Sequence, residues 1–462
     1  MLFSLRSLVW PDRSIFPALS APHPVRGSQV LLDAFRPLRA ASGYSLLTGI
    51  GLALGLAREI TVASTYGLSP QLDVFIAVMS LQLLFGTQIG NALETAFISR
   101  VAKDSEEPCV RRPLRSALYG LAVVNAGVVI FLLASGGLLF NTIFPHFDGP
   151  QQSLGVRTLH LLVLPIVFAS SAGLLRGALS VLRCFAPQFV AGSLVSLCTI
   201  ASVLSLSSRL GIDALTLGVA AGNLCVLLLF AFLYLRLSRS DEPERGGTPG
   251  NGWFALWTAA GTVLAGELIY SAVGLTERSL ASWLPGGSIA AFFYASTIVS
   301  VPLSLVVVPL TTLAFPDMVE TFGKDVRRGL VVLRRQAVLL LGASLVVVAV
   351  VEVLAEPIVD LVFVRGRFSP DHARLVASIL SITICALPFM SLGRVLRNSC
   401  YALGDYRIPV MGLAGQWLLL AGLGAVLVAR LGVQGLALTL VAGEAVSCLT
   451  MGGRLAIRFR ST

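Results

Sequence analysis

Twelve apolar stretches dominate the pattern of this chain. Each is long enough to cross a bilayer core as a helix, which takes about 20 residues for roughly 30 Å of hydrocarbon. Six fall at 44–66, 74–99, 116–140, 157–181, 187–208 and 213–235. Six more fall at 253–283, 288–315, 331–354, 373–397, 409–429 and 433–456. The longest polar connector, 238–251, carries Asp241-Glu242-Pro243-Glu244-Arg245 and lies between the sixth and seventh stretches. The pattern predicts an all-α polytopic membrane protein with about twelve transmembrane helices.

The second set of stretches echoes the first. Leu210-Gly211-Ile212-Asp213-Ala214-Leu215 returns 221 residues later as Leu431-Gly432-Val433-Gln434-Gly435-Leu436. Ala221-Gly222 returns as Ala442-Gly443, Leu175-Arg176 as Leu396-Arg397, and Phe185 as Tyr406, all at the same offset. Near the starts of the halves, Glu59 matches Glu277, Ala63-Ser64 matches Ala281-Ser282 and Phe75 matches Phe293, at an offset of 218. Two matched bundles in a membrane are a common build of transporters, with the substrate path at their interface. The expected domains are a basic tail over 1–41, a six-helix bundle over 42–236, a linker over 237–252 and a second six-helix bundle over 253–457.

Composition fits this class. Of 462 residues, 55% are hydrophobic and only 13% charged, too few charges to coat a soluble protein of this length. Mean hydropathy is +0.84. The seven cysteines form no Cys-x-x-Cys and the four histidines do not cluster, so neither disulfides nor a metal site is expected. Residues 1–41 carry Arg6, Arg13, Arg26, Arg36 and Arg39, and Pro11-Asp12 interrupts their short apolar run, unlike a cleavable signal.

The net charge of +10 reads as topology. Alternate loops and helix ends carry 26 of the 34 Lys and Arg, at 6–39, 100–115, 176 and 183, 236–245, 324–335, 394–407 and 454–460. The other loops carry six: Arg157, Arg209, Arg365, Arg367, Arg374 and Arg430. By the positive-inside rule both termini are cytoplasmic. Six spans per half make the repeats parallel, around a central cavity. No nucleic-acid partner is needed to explain the charge.

Two arginines remain inside predicted spans, each beside a glutamate: Arg58-Glu59 and Glu277-Arg278. A charge at the centre of a membrane helix costs about 2.5–3.5 kcal/mol on insertion scales. Such groups are kept where they face water, a partner or a substrate. Snorkelling to the outer surface, or pairing with the adjacent glutamate, is the structural reading. The functional reading makes Arg58, Arg278, Glu59 and Glu277 substrate-binding, because Glu59 and Glu277 are matched in the repeats and a guanidinium fork suits phosphate oxygens. Glu267, Glu94 and Asp73 are candidate coupling-ion residues, although Asp73 sits near the rim, where it would also serve as an N-cap. Glu444 is a further acid inside a span. Gly49, Gly51 and Gly55 read as helix packing, as do Gly218 and Gly222. Pro302, Pro309 and Pro388 mark expected bends.

These residues also resemble a known family. Arg58-Glu59, Gly67 and Asp73-Val74-Phe75 resemble the opening of MviN/MurJ-type flippases, members of the multidrug/oligosaccharidyl-lipid/polysaccharide exporter superfamily. The seventh helix and following turn of that family look like Glu277-Arg278-Ser279-Leu280-Ala281-Ser282, Gly287-Ser288-Ile289 and Phe293-Tyr294-Ala295. Pro302-Leu303, Phe315-Pro316, Arg365-Gly366-Arg367-Phe368 and Tyr401-Ala402-Leu403-Gly404-Asp405 with Pro409 continue the likeness, from about Gly51 to Arg454. The chain departs at Leu52, at Leu84-Phe85-Gly86-Thr87 and at Ser296-Thr297, where lipid II flippases carry cavity cations. It also lacks a counterpart of their last two helices, so a reduced lipid-tail groove is expected.

The resemblance implies an inner-membrane flippase for a polyprenyl-pyrophosphate-linked saccharide. The departures weaken lipid II as the substrate and suit another lipid-linked saccharide such as an exopolysaccharide repeat unit, with a lipid II-like peptidoglycan precursor as the alternative. Membrane lipids are its surroundings, and glycosyltransferases or a polymerase are candidate partners. No cofactor, nucleotide-binding domain or covalent chemistry is implied, so the chain is not expected to be an enzyme. A drug/cation antiporter of the same superfamily and a non-transporting scaffold for glycan synthesis remain as rivals. A major-facilitator transporter ranks lower, because the basic loop that fold carries after its second span is missing from 100–113.

Overall fold

A computed structural model describes residues 49–101, 110–238 and 252–460. The expected tail over 1–41 and nearly all of the linker over 237–252 lie outside these residues. Among the described residues every long element is a helix and no strand occurs. In chain order they are α1 (49–66), α2 (Pro70–Val101), α3 (Arg111–Ile143), α4 (Gly149–Val181), α5 (Ala186–Leu210) and α6 (Asp213–Ser238). The second half supplies α7 (Gly252–Ala281), α8 (288–324), α9 (Val326–Phe363), α10 (Pro370–Ala402), α11 (Arg407–Leu431) and α12 (Val433–Arg460).

Eleven of these, α2 to α12, are long and apolar enough to cross a membrane. Helix α1 is the described part of the first expected span. Several helices overrun their apolar windows. Helix α9 runs 38 residues, against an expected 331–354, and carries Arg327, Arg328, Arg334 and Arg335 at one end and Glu352, Glu356 and Asp360 toward the other. Backbone hydrogen bonding continues into water where side-chain hydropathy stops, so hydropathy alone underestimates helix length.

The starts and stops follow local chemistry. Ser69 caps α2 through Leu72 N, with Pro70 at the first helical position. Ser369 and His372 form a capping box at the start of α10, again followed by proline. The turns α5–α6 and α11–α12 are repeat copies. Gly211 (φ 56°) and Gly432 (φ 64°) reverse the chain at matched positions, in a conformation that side chains with a Cβ rarely adopt.

The repeat also appears in the backbone. Helix α2 contains a π turn at Leu83–Thr87, and α8 contains one at Leu303–Val307, 220 residues on. Pro302 and Pro309 flank the second, as the sequence led one to expect of a bend; no proline marks the first. A third π turn, Leu420–Gly424, interrupts α11. Pro388 follows a 3-10 turn at Ile384–Ala386 inside α10.

Packing matches the glycine expectation in part. A Cβ on Gly218 or Gly222 would stand 2.7 Å from the Cα of Thr199 or Val195, so these glycines let α5 and α6 touch. A Cβ on Gly51 would lie 3.3 Å from Ser193 Oγ, whereas Gly49 and Gly55 face open space. The contact pattern divides the molecule into two compact units. One comprises the described part of Met1–Glu59 with Gly86–Val128 and Leu164–Val263; the other comprises Ile60–Phe85, Val129–Val163 and Leu264–Thr462. The second unit therefore joins segments of α1 to α4 to the helices of the second half.

Candidate functional site

The first intramembrane pair closes on itself. Arg58 donates Nε to Glu59 Oε1 at 2.9 Å, and its Nη2 reaches the same oxygen. The Glu59 side chain is 8% exposed and that of Arg58 32%. The matched residues Glu277 and Arg278 behave differently. Arg278 donates Nη1 to Gly274 O of its own helix at 3.2 Å, and no ion pair joins it to a carboxylate among the described residues. Glu277 lies within electrostatic reach of Arg278 and of Glu444, whose Oε1 accepts from Gln416 Nε2 at 3.1 Å. One residue before Glu277, Thr276 Oγ1 accepts from Trp417 Nε1 at 3.1 Å, which ties α7 to α11.

Glu94 is engaged inside the first unit. Arg176 of α4 donates Nε to Glu94 Oε2 at 2.7 Å and Nη2 to Asn91 Oδ1 at 2.8 Å. The helices meet closely there. A Cβ on Gly173 would stand 2.5 Å from Gly90 Cα, and one on Gly177 3.1 Å from Glu94 Cα. Small residues on both faces allow this approach, and the ion pair ties the two helices beside it. Glu267 of α7 is half-buried.

Asp73 caps a helix, but in the other sequence half. Its Oδ1 accepts from Ala290 N at 2.7 Å and its Oδ2 from Gly287 N at 2.5 Å, so the buried carboxylate sits on the free N–H groups that open α8. Its own helix is capped by Ser69. The surrounding seam, all within the second unit, is continuous. Arg367 N donates to Ser64 O at 2.8 Å, Ser279 Oγ donates to Ile143 O at 2.5 Å, and the rings of His146 and Trp283 lie 5.0 Å apart. A Cβ on Gly366 would meet Ser64 O at 2.3 Å, and one on Gly287 would meet Leu68 O at 2.7 Å. These seam residues all lie at the basic-poor helix ends.

Three arginines counted above among basic loops and ends belong inside helices. Arg176 lies in α4, paired as described. Arg394 and Arg397 lie in α10. Arg394 donates Nε to Thr311 Oγ1 of α8 at 3.0 Å, and Asn398 donates Nδ2 to Thr311 O at 3.4 Å. Arg397 Nε is buried with no hydrogen-bond partner among the described residues. Hydropathy hid these residues because each sits near the end of a long span. The repeat was the available signal, since Arg176 and Arg397 are matched positions.

A chain of membrane-spanning helices, repeated by halves, with charges inside the spans and a seam joining the halves at one end, belongs to the class of multi-pass membrane transport proteins. The sequence model described as "Lipid II flippase MurJ" matches residues 62–458, and the chain belongs to that family. The match covers Glu277 and Arg278 but begins after Arg58-Glu59. A probable lipid II flippase MurJ from Bdellovibrio bacteriovorus is 24% identical over 87% of this chain and 79% of its own. The lipid II flippase MurJ of Burkholderia cenocepacia is 25% identical over 91% of this chain and 83% of its own. Among solved structures, a lipid II flippase MurJ in an inward closed conformation superposes with a TM-score of 0.79 at 18% identity, covering 89% of this chain and 87% of that one. An inward-facing multidrug resistance MATE family transporter of the MOP superfamily superposes at 0.73 with 15% identity, covering 88% of this chain and 94% of that one. The fold is thus that of the superfamily expected from the motifs.

Proposed function

We propose that this protein is a flippase that moves a polyprenyl-diphosphate-linked saccharide of the lipid II type across the inner membrane by alternating access. Both termini lie in the cytoplasm, so the seam around Asp73 closes the outer side. Arg58, beside Glu59, and Arg278, beside Glu277, are each a cation suited to the phosphate oxygens of that cargo. Glu267 and Glu277 are the carboxylates left to carry a coupling cation or proton, since Glu94 is occupied by Arg176 and Asp73 by the start of α8. Enzymes that make or polymerise the lipid-linked saccharide are its functional partners.

The observation that carries this reading is the seam. It holds the two halves together at one end through backbone and capping hydrogen bonds, a kind of contact that can open and close without breaking a packed core. The membrane potential acts on charged groups with about 2.3 kcal/mol per charge per 100 mV, enough to bias the return of an empty site.

A drug/cation antiporter of the same superfamily is the second reading, supported by the MATE-like fold. The guanidinium of Arg278, which forms no ion pair with a carboxylate among the described residues, disfavours a cationic drug as cargo. Reconstitution decides between them. Purified protein in proteoliposomes is expected to expose a fluorescent lipid II analogue to an impermeant quencher faster than empty vesicles do. Proton- or sodium-driven efflux of organic cations, without any movement of the lipid, would sink the flippase reading.

A further inference from the structure

The two halves build the same helix crossing with different chemistry. The π turns align α2 with α8 at 220 residues, which carries Asn91 to Thr311 and Glu94 to Ala314. On the crossing helices the offset is 221, which carries Gly173, Arg176 and Gly177 of α4 to Arg394, Arg397 and Asn398 of α10. In the first half the crossing is tight and its arginine is neutralised by Glu94. In the second half a methyl group replaces that carboxylate, and a guanidinium and an amide replace the two glycines.

The second crossing is therefore rich in donors and poor in acceptors. Arg394 and Asn398 share one residue, Thr311. Arg397 Nε is buried and unpartnered, and neither arginine is ion-paired with a carboxylate among the described residues. Glu444 is within electrostatic reach of Arg397, yet it is held by Gln416. The phenols of Tyr270 and Tyr401 are also within reach of Arg397, and these side chains are 56% and 37% exposed. A guanidinium with a nitrogen withdrawn from water, as Arg397 Nε is, needs an acceptor there. Its planar fork, always charged, is shaped for two oxygens of a phosphate.

We propose that Arg394, Arg397 and Asn398 form a phosphate-oxygen subsite on the second half. The proposal rests on the flippase reading for the identity of its ligand, the diphosphate of the lipid-linked saccharide. It gives the second half a holding point of its own, where the first half spends the matched arginine on joining two helices.

Binding of farnesyl diphosphate and of phosphatidylglycerol to the purified full-length protein in detergent tests this. Arg394→Gln and Arg397→Gln are each expected to weaken farnesyl diphosphate binding by roughly tenfold or more, the scale of a charge-assisted hydrogen bond. Ala314→Glu, which restores the carboxylate of the first half, is expected to do the same while every cation stays in place, and it remains informative if an arginine variant fails to fold. Arg176→Gln is expected to lower the melting temperature and leave the affinity of the folded protein unchanged. Unchanged affinity in the Arg394→Gln/Arg397→Gln double variant and in Ala314→Glu would overturn the subsite. So would equal competition by phosphatidylglycerol, which would make it a contact for bilayer headgroups. If the wild type moves no lipid-linked saccharide, the flippase reading falls and the binding result still decides the subsite. If the wild type moves it and the variants bind as the wild type does, the subsite alone falls.

Discussion

Arg58-Glu59 and Glu277-Arg278 place the same two residue types side by side in matched helices, in opposite order, and they end in different electrostatic states. In α1 the guanidinium lies on its own neighbour's carboxylate. In α7 the guanidinium donates to a backbone carbonyl of its own helix, and the carboxylate is within electrostatic reach of both Arg278 and Glu444 without an ion pair. The helix crossings repeat this contrast, with Arg176 ion-paired to Glu94 and Arg397 in no ion pair among the described residues. Helices α2 and α8 share their π turn, whereas the π turn of α11 and the 3-10 turn of α10 have no counterpart in α5 and α4. Arg58 and Arg176 of the first half are ion-paired; among the described residues, Arg278 and Arg397 of the second half are not. An anionic cargo would then be held mainly by the second half.

The largest expected effect tests that directly. In the proteoliposome assay Arg278→Ala should slow translocation about 100-fold, the loss of a paired set of charge-assisted hydrogen bonds. Arg58→Ala should cost about tenfold or less, because its charge is already offset by Glu59. Equal losses would erase the distinction between the halves.

Next in size is stability. Glu94→Ala leaves the Arg176 guanidinium, about a third exposed, without its acid, and should destabilise the protein by roughly 1–2 kcal/mol after allowance for solvent screening. Thermal unfolding in detergent would report it. Arg397→Gln should shift stability by less than about 0.5 kcal/mol, since no ion pair is lost. A loss as large as that of Glu94→Ala would mean that Arg397 is a structural cation after all.

The smallest effect sharpens the comparison from the other side. Glu59→Gln frees Arg58 from its neighbour and should tighten farnesyl diphosphate binding by about two- to threefold, the scale of a partly exposed ion pair. No change, or weaker binding, would show that Glu59 orients Arg58 and does not merely mask it.

Much of the fold was legible in the linear pattern. The spans after the first reappear as helices, and Gly211 and Gly432 reverse the chain at matched turns as the echo implied. The candidate site was less legible. Glu94 and Asp73 were visible as carboxylates in apolar surroundings, but their partners were not, because Arg176 lies 82 residues from Glu94 and Gly287 lies 214 from Asp73. Arg394 and Arg397 were visible only as basic residues near a span's end, where orientation and binding give the same signal. The π turn at Leu83–Thr87 had no proline to announce it.

The sequence by itself determined the membrane class, the order and approximate extent of the spans, the duplication and the motifs of the MurJ family. It could do so because a bilayer forces each span to satisfy its backbone within a contiguous apolar helix, which makes those features local. Only the tertiary structure decided which intramembrane charges are neutralised, that Asp73 caps a helix of the other half, and that the two copies of one crossing differ in charge. Those outcomes depend on residues far apart in the chain meeting within hydrogen-bond distance, and a few ångströms separate a matched pair of charges from an open one.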